Sequence, residues 1–181
     1  MRYLALLLLV ALAVTACSSD TTTATGLTRP SASTSFNNAP NGAHFAQGSS
    51  EPVCTVSGLT ISCTGTQING VGNTNAGLSL SVTYAATVRC RNNGGKIVDV
   101  KTQVEDAGAV DTDLAPKNGN LQVPAIDISS AEAPTEADFL AQATCPNPNW
   151  TKSLLPGTPS ISSFSYTLTF VGFTAPFITL P

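Results

Sequence analysis

The cysteines are the residues of this chain whose spacing says most about their chemistry. There are five of them: Cys17, Cys54, Cys63, Cys90 and Cys145. Thiols bind metals, exchange electrons, form disulfides or carry covalent modifications. The sequence contains no Cys-x-x-Cys pair, and its one histidine is His44. This spacing argues against a metal site, a redox centre or a bound cofactor, and it favours disulfides and modification.

Cys17 stands at the end of an N-terminal apolar run. Arg2 supplies a positive charge, and residues 3–14 are almost all Leu, Ala and Val. The run is shorter than the roughly 20 apolar residues that cross a bilayer, but it has the length of a signal-peptide core. Residues 14–17, Val-Thr-Ala-Cys, resemble a bacterial lipobox, which implies removal of residues 1–16 and lipidation of Cys17. The alternative is an ordinary cleaved signal peptide, and under both interpretations the protein is exported.

Composition and charge restrict the partners of such a chain. Charged residues make up 10% of the sequence, the formal net charge is −3, and the eight Lys and Arg residues form no cluster. Nucleic-acid binding and electrostatic docking on anionic lipid both need such clusters. We therefore expect no nucleic-acid partner and a membrane contact through acyl chains on Cys17. The anchor would lie in the cell membrane or, as Ser18 in place of Asp favours, in an outer membrane.

A change of pattern near residue 53 predicts the domain organisation. Residues 17–52 are rich in Ser, Thr, Asn, Ala, Gly and Pro and have no apolar periodicity, which predicts a disordered tether. Phe36 and Phe45 leave open the alternative that part of this tether packs on the domain. Residues 53–181 alternate between apolar and polar, as strands do, and form the predicted folded domain.

The alternation predicts an all-β domain. Apolar residues occupy every second position from Leu78 to Cys90. Shorter runs follow at 98–104, 121–128, 164–170 and 173–180. Pro124 and Pro176 indicate edge strands or bulges, and residues 132–143 are the one helical candidate. About seven or eight strands favour an antiparallel β-sandwich, immunoglobulin-like in the loose sense, with a barrel as the alternative.

Cys54 and Cys63 flank a tight turn. Gly58-Leu59 fits a type II′ hairpin, in which the first central residue has a positive φ. This register places Cys54 opposite Cys63 in a non-hydrogen-bonded pair, where the Cα atoms approach to about 4.5 Å and a disulfide can form. We therefore predict a Cys54–Cys63 disulfide, and by elimination Cys90 pairs with Cys145.

Three cysteine-containing blocks carry a resemblance to known proteins. They are residues 63–73 (CTGTQINGVGN), 87–95 (TVRCRNNGG) and 145–150 (CPNPNW). Together they resemble a group of uncharacterised bacterial exported lipoproteins with the pattern Cys…Gly-x-Gly-Asn…Cys-x-Asn-x-Gly-Gly…Cys-Pro-Asn-Pro-x-Trp. The resemblance covers most of residues 53–170 and implies a shared fold but no activity. The Cys54 hairpin stands outside this pattern, so a different pairing of the other three cysteines stays open.

The remaining residues form no recognisable catalytic motif. The sequence lacks Gly-x-Ser-x-Gly, His-Glu-x-x-His and phosphate-binding glycine patterns, so we expect no catalytic residues. The acidic segment 105–113, from Glu105 to Asp113, is interpreted as a solvated turn, with a calcium site as the alternative. Trp150 is interpreted as packing into one end of the core, with an exposed sugar-stacking platform as the alternative.

These patterns lead to an expectation about function that names no activity. We expect a lipid-anchored cell-envelope protein whose domain acts by binding or display, with an envelope polymer or protein as its partner. The loops at 69–77 and 105–120 are the expected partner surface, because loops usually carry such contacts. The alternatives are a carbohydrate-binding module, which would expose Trp150 or Tyr84, and an envelope hydrolase, which would need two carboxylates in one cleft.

Overall fold

A computed structural model of the chain describes residues 31–106 and 112–181. The N-terminal apolar run and Cys17 lie outside these residues. The strands and the α-helix are, in chain order, β1 Ser33–Thr34, β2 His44–Phe45, β3 Cys54–Ser57, β4 Thr60–Cys63, β5 Thr66–Asn69, β6 Ala76–Arg91, β7 Ile97–Asp106, β8 Thr112–Leu114, β9 Asn120–Val123, β10 Ile126–Ile128, α1 Glu136–Gln142, β11 Thr151–Leu154, β12 Ser160–Phe170 and β13 Ile178–Leu180. No helix in these ranges is long and apolar enough to cross a membrane.

The sixteen-residue strand β6 is the centre of the largest sheet. Its side chains alternate strictly, so that the residues from Ala76 to Cys90 at even positions are buried and those at odd positions are partly exposed. β12 and β11 pair with one side of β6, and β8 and β7 pair with the other side. β13 and then β1 extend the sheet beyond β12. All of these pairs are antiparallel, and the long alternating strand predicted from the sequence is confirmed.

Two three-stranded sheets complete a sandwich-like structure. Their strand orders are β10-β4-β3 and β2-β5-β9. One buried cluster contains apolar residues from all three sheets, including Leu80 of β6, Ile61 of β4 and Ile68 of β5. The prediction of an antiparallel all-β fold with two disulfides is confirmed. There are more strands than the seven or eight predicted, because several have only two to four residues, and the immunoglobulin-like arrangement stays a prediction.

The tether predicted for residues 17–52 was too long. Ser33 and Thr34 pair with β13, and His44 and Phe45 pair with β5. The rings of Phe36 and Phe45 both contact the buried ring of Phe177, at centroid distances of 5.4 and 6.0 Å. These aromatic contacts offset part of the entropy cost of ordering the segment. The alternative in which Phe36 and Phe45 pack on the domain is therefore correct.

Proline divides one predicted alternating run into two elements. Residues 121–128 contain β9 and β10, which flank Pro124 and pair with different sheets, β5 and β4 respectively. Both are edge strands, in agreement with the expectation from Pro124. The last strand, predicted over 173–180, is limited to β13, and it lies between β1 and β12 instead of at an edge. This difference arises because Ser33 and Thr34 take the edge position.

The helical candidate at 132–143 forms a shorter helix, α1, with a defined start. The Thr135 hydroxyl accepts a hydrogen bond from the Asp138 amide, and the Asp138 carboxylate accepts one from the Thr135 amide. This reciprocal capping box satisfies two backbone groups that a helix start leaves unpaired. Pro134, immediately before the cap, marks the boundary.

Candidate functional site

The hairpin that carries the first disulfide has the predicted register. Ser57 pairs with Thr60, and Cys54 lies opposite Cys63. The two cysteine Cα atoms are 4.0 Å apart and the sulfur atoms are bonded. Gly58 has a φ of +60°, which is the conformation that the first residue of a type II′ turn requires. Local turn chemistry thus determines which cysteines meet.

The second disulfide attaches the helical region to the large sheet. Cys90, near the end of β6, is fully buried and bonded to Cys145, 55 residues later, with Cα atoms 5.7 Å apart. Nearby, the Lys152 ammonium donates a hydrogen bond to the carbonyl oxygen of Leu140, at 2.8 Å. These contacts join β6, α1 and β11. Both predicted pairings are therefore confirmed, and Cys17 is the one cysteine of the five outside them.

The two loops predicted to form a partner surface meet at one end of the domain. The Val71 amide donates a hydrogen bond to the Gly119 carbonyl at 3.1 Å, and the Val171 amide donates one to the Asn75 carbonyl at 2.8 Å. We call residues 70–75, 117–119 and 171–173 the loop end. Residues 107–111 of the second predicted loop lie outside the described residues. The geometry thus makes one continuous surface from three separate turns.

The loop end has a mostly polar surface whose single charged residue is Lys117. Asn73, Lys117 and Asn118 are exposed, and Val171 is the most exposed large apolar residue in the described ranges, at 63%. Asn118 is also the one described non-glycine residue with a positive φ, +53°. Asn118 and Gly119 both have the positive backbone φ that a type I′ turn requires, and this turn joins Lys117 to Asn120 through two backbone hydrogen bonds. Such a surface suits hydrogen bonding to a polar partner.

A polar groove lies on the outer side of the large sheet. It has a volume of about 490 Å³ and is open to solvent. Its lining comprises Ala85, Ala86, Thr87, Lys101, Thr102, Gln103, Thr158 and Ser160. The Thr158 hydroxyl accepts a hydrogen bond from the Thr87 amide, which holds the turn before β12 against β6. The groove could bind a small polar or anionic group through Lys101 and Gln103.

A second groove, of about 340 Å³, places three carboxylates near α1, but their surroundings do not favour acid catalysis. Two of them are engaged locally: Glu132 accepts hydrogen bonds from Ser129, and Asp138 accepts them from Thr135. The hydroxyl and amide of Thr135 lower the pKa of Asp138. A glycosidase general acid needs a raised pKa. The third, Glu105, begins the segment considered for calcium.

The calcium alternative for segment 105–113 depends on residues outside the described ranges. Backbone positions 107–111 are not described, and neither are the side chains of Asp106 and Thr112. In the described part of the chain, no group of three or more His, Cys, Asp or Glu residues could hold a metal ion. The alternative therefore stays a prediction.

The two aromatic side chains considered as sugar platforms have different environments. Tyr84 is fully buried, and its hydroxyl donates a 3.4 Å hydrogen bond to the Leu59 carbonyl, so it offers no platform. Trp150 is half-buried and is not part of the buried apolar cluster. The interpretation of Trp150 as a plug in the core was wrong. The turn formed by the Trp150 amide and the Asn147 carbonyl holds it at the surface beside β11.

Sequence reasoning missed the polar groove. Lys101 and Gln103 lie on β7, whereas Thr158 and Ser160 lie about 55 residues further along the chain. The alternation of β7 could have placed Lys101 and Gln103 on the exposed face. It could not have placed Ser160 nearby, because that depends on the pairing of Ser160 with Ala85 of β6.

Comparisons of this chain with protein-family models, with curated proteins and with solved structures gave no match.

Proposed function

We propose that this chain is an exported protein, anchored in the cell envelope by lipid on Cys17, that presents a disulfide-stabilised β domain to a polar envelope partner. The domain acts by binding, and the loop end is its contact surface. The anchor and the domain are separate parts of the proposal.

The number and pairing of the cysteines support the proposal of export and lipidation. Two disulfides engage Cys54, Cys63, Cys90 and Cys145, and Cys17 is left as the fifth cysteine. Stable disulfides are typical of exported proteins, whose compartments are oxidising. The unpaired cysteine is also the one that follows the apolar run and the small residues of a lipobox-like motif. One assignment thus accounts for all five thiols.

The loop end supports the proposal of binding. Loops on a rigid scaffold are the usual place for recognition, because the scaffold limits the entropy lost when a partner binds. Here the hydrogen bonds Val71–Gly119 and Val171–Asn75 fix three turns to one another. Asn73, Asn118 and Lys117 present amide and ammonium groups to solvent. Peptide and sugar polymers of the envelope carry the carbonyl, hydroxyl and carboxylate groups that these side chains can bind.

Metabolic labelling tests the anchor. The full chain is expressed in a bacterial host that is supplied with an alkyne fatty acid, and the membrane fraction is probed for label. We expect the wild-type chain to be labelled and Cys17→Ala to carry no label. Ser18→Ala is the matched control, because it changes the neighbouring residue and keeps the thiol, and it should be labelled. An unlabelled wild-type chain would reject lipidation.

Co-sedimentation with purified cell-wall sacculi tests the binding surface. We expect the full chain to sediment with the sacculi, and the loop-end double variant Asn73→Ala/Lys117→Ala to lose at least half of the bound fraction. Lys96→Ala is the control, since Lys96 is an exposed cation in the turn between β6 and β7. Equal binding by the wild type, the double variant and Lys96→Ala would show that the loop end is not the contact surface.

Carbohydrate binding through Trp150 is a second candidate. The observation that favours it is that Trp150 is partly exposed and lies outside the core. A tryptophan ring at a surface can stack on a sugar, because its flat face packs against the C–H groups of the sugar and its N–H can donate a hydrogen bond. If this candidate is correct, Trp150→Ala reduces binding to sacculi and leaves the melting temperature nearly unchanged, while the loop-end variant binds normally.

A further inference from the structure

The long strand β7 is an edge of the large sheet. It has ten residues and pairs with β6 without a register shift, and in the described part of the chain no other strand pairs with it. Proteins usually protect such an edge with proline, bulges, a short strand, charged side chains or a covering helix. β7 contains no proline and no bulge. Its exposed charges, which include Asp99 and Lys101, disfavour a strand of like charge, so its free side is open to a strand whose charges are complementary.

The hydrogen bonds of β6 indicate which backbone groups of β7 face outward. The amide and carbonyl of Thr87 bond to Thr158 and Leu155, on the side of β6 away from β7. The backbone N–H and C=O groups of successive residues point to opposite sides of a strand. Those of the neighbouring residue Val88 therefore point towards β7, and Val88 forms a hydrogen-bonded pair with Val100. The Asn92 amide donates a hydrogen bond to the Lys96 carbonyl in the turn of the same hairpin. This bond agrees with the assignment that even-numbered residues of β6 point their backbone groups towards β7.

It follows that the odd-numbered residues of β7 turn their N–H and C=O groups to the free edge. These residues are Ile97, Asp99, Lys101, Gln103 and Glu105. Their side chains lie on the outer face of the sheet and are exposed, with Ile97 at 48%. The even-numbered residues Val98 and Val100 lie on the inner face and are partly exposed, and Val100 also packs against the buried cluster. An added strand would satisfy the backbone groups and cover these valines.

The charges on β7 complement a second copy of β7. Lys101 makes no ion pair in the described part of the chain, and Asp99, two residues away, is 41% exposed and paired with Arg89 at 3.0 Å. If two antiparallel copies of β7 meet with Val100 opposite Val100, Asp99 of each copy lies opposite Lys101 of the other. The odd-numbered residues 97–103 would then exchange about eight backbone hydrogen bonds.

We propose that β7 pairs antiparallel with β7 of a second copy of this chain, with a two-fold axis at Val100, so that one sheet continues through a dimer. A two-fold interface needs a self-complementary surface, and the alternation of Asp99 and Lys101 provides one. Neighbouring registers are less favourable. One places Lys101 opposite Lys101, another places Asp99 opposite Asp99, and a third places Asp99 opposite Glu105.

One other register keeps opposite charges together and has to be distinguished. It places Lys101 opposite Glu105, with Gln103 on the axis. This register moves the incoming strand towards Glu105, where residues 132–134 already border the strand. The register centred on Val100 uses the part of β7 that lies further from this obstruction. It is therefore the one we propose.

Cross-linking tests the register. In the proposed dimer the two Val100 residues form a non-hydrogen-bonded pair, the same kind of pair that Cys54 and Cys63 form in the β3–β4 hairpin. We expect the full chain with Val100→Cys, treated with copper phenanthroline, to give a covalent dimer on a non-reducing gel. Ile97→Cys is the control, because Ile97 is exposed and faces Gln103 of the other copy instead of itself, and it should give no covalent dimer. A dimer from Gln103→Cys but not from Val100→Cys would overturn the proposed register.

Sedimentation equilibrium of the full chain in detergent measures the dissociation constant of the dimer without introducing another cysteine. We expect a dimer whose dissociation constant rises about tenfold in Lys101→Glu, because both Asp99–Lys101 contacts become repulsive. Lys117→Glu makes the same charge change on an exposed residue outside β7, in the turn between β8 and β9, and should leave the constant unchanged. A wild-type chain that stays monomeric, or equal effects of the two substitutions, would overturn the proposal. The test does not require lipidation of Cys17.

Discussion

Cys90 in β6 and Cys145, just after α1, are bonded across 55 residues, and this bond holds the short helix α1 on the large sheet. The helix has seven residues, which is too short for independent stability in water. Its one buried side chain, Phe139, belongs to the core cluster. The disulfide, Phe139 and the capping box therefore act together to keep α1 in place.

The two disulfides are expected to contribute unequally to stability. The double variant Cys90→Ala/Cys145→Ala should lower the free energy of unfolding by about 4 kcal/mol, and Cys54→Ala/Cys63→Ala by roughly 2.5–3 kcal/mol, because the longer loop gains more entropy when it is opened. Paired alanines leave no free thiol that could exchange. Urea unfolding measures both values, and equal losses would contradict the chain-entropy explanation.

Removing the hydroxyl group should change the free energy of unfolding in opposite directions at two buried tyrosines, Tyr84 and Tyr166. The hydroxyl of Tyr166 is buried and has no hydrogen-bond partner in the described part of the chain, whereas that of Tyr84 bonds to the Leu59 carbonyl. A buried hydroxyl without a partner costs about 1–3 kcal/mol. Tyr166→Phe should therefore raise the free energy of unfolding, and Tyr84→Phe should lower it, as measured by urea unfolding. If both substitutions destabilise the domain equally, the Tyr166 hydroxyl has a partner.

The capping box should make part of the stability depend on pH. Hydrogen bonds from Thr135 hold the pKa of Asp138 below its ordinary value. The charged carboxylate therefore stabilises the fold above the unfolded pKa of about 4, and this contribution is lost as the pH falls through the lower folded pKa. The difference in unfolding free energy between the wild type and Asp138→Asn should be constant near neutral pH and shrink in acid.

Thr135→Ala is the companion variant for this pH measurement. It removes the hydroxyl and should cost about 1 kcal/mol at neutral pH. It should also reduce the pH-dependent contribution of Asp138, since the larger part of the pKa shift comes from that hydroxyl. An undiminished pH dependence in Thr135→Ala would assign the effect to a different group.

Gly70 should be more sensitive to substitution than Gly72. Both have a positive φ, so an alanine at either position is strained. A Cβ on Gly70 would also lie 2.1 Å from the carbonyl oxygen of Gly42, while a Cβ on Gly72 would meet open space. Gly70→Ala should therefore push residues 42–45 away from β5 and destabilise the domain more than Gly72→Ala does.

Hydrogen exchange can locate this effect. The Ala46 amide bonds to the Gln67 carbonyl of β5 at 2.9 Å. We expect faster exchange at Ala46 in Gly70→Ala and little change in Gly72→Ala. Equal exchange rates in the two variants would mean that the backbone contact between Gly70 and Gly42 does not hold the N-terminal segment.

The features predicted correctly from the sequence are those that depend on nearby residues. The alternation along β6 places Cys90 on the buried face without knowledge of its neighbours. In the first hairpin, Gly58 sets the turn, the turn sets the register, and the register brings Cys54 to Cys63. Each step spans only a few residues, so propensity and periodicity were sufficient.

The features that were missed depend on residues far apart in the chain. Phe36 and Phe45 looked isolated because Phe177, the ring they contact, lies more than 130 residues away. Strands of two residues, such as β1 and β2, are too short to produce a periodic pattern. Trp150 was misplaced because a single aromatic residue in a turn carries no periodicity that would distinguish core from surface.

Intact mass spectrometry of the protein from its native membranes, before and after reduction, tests the proposed anchored domain most directly. We predict loss of residues 1–16, a diacyl or triacyl increment on Cys17, no free thiols before reduction, and two new thiols from each of the two disulfides afterwards. A mature chain without an acyl increment would make it a freely secreted protein and contradict the anchor. Free thiols before reduction would contradict the disulfide-stabilised domain.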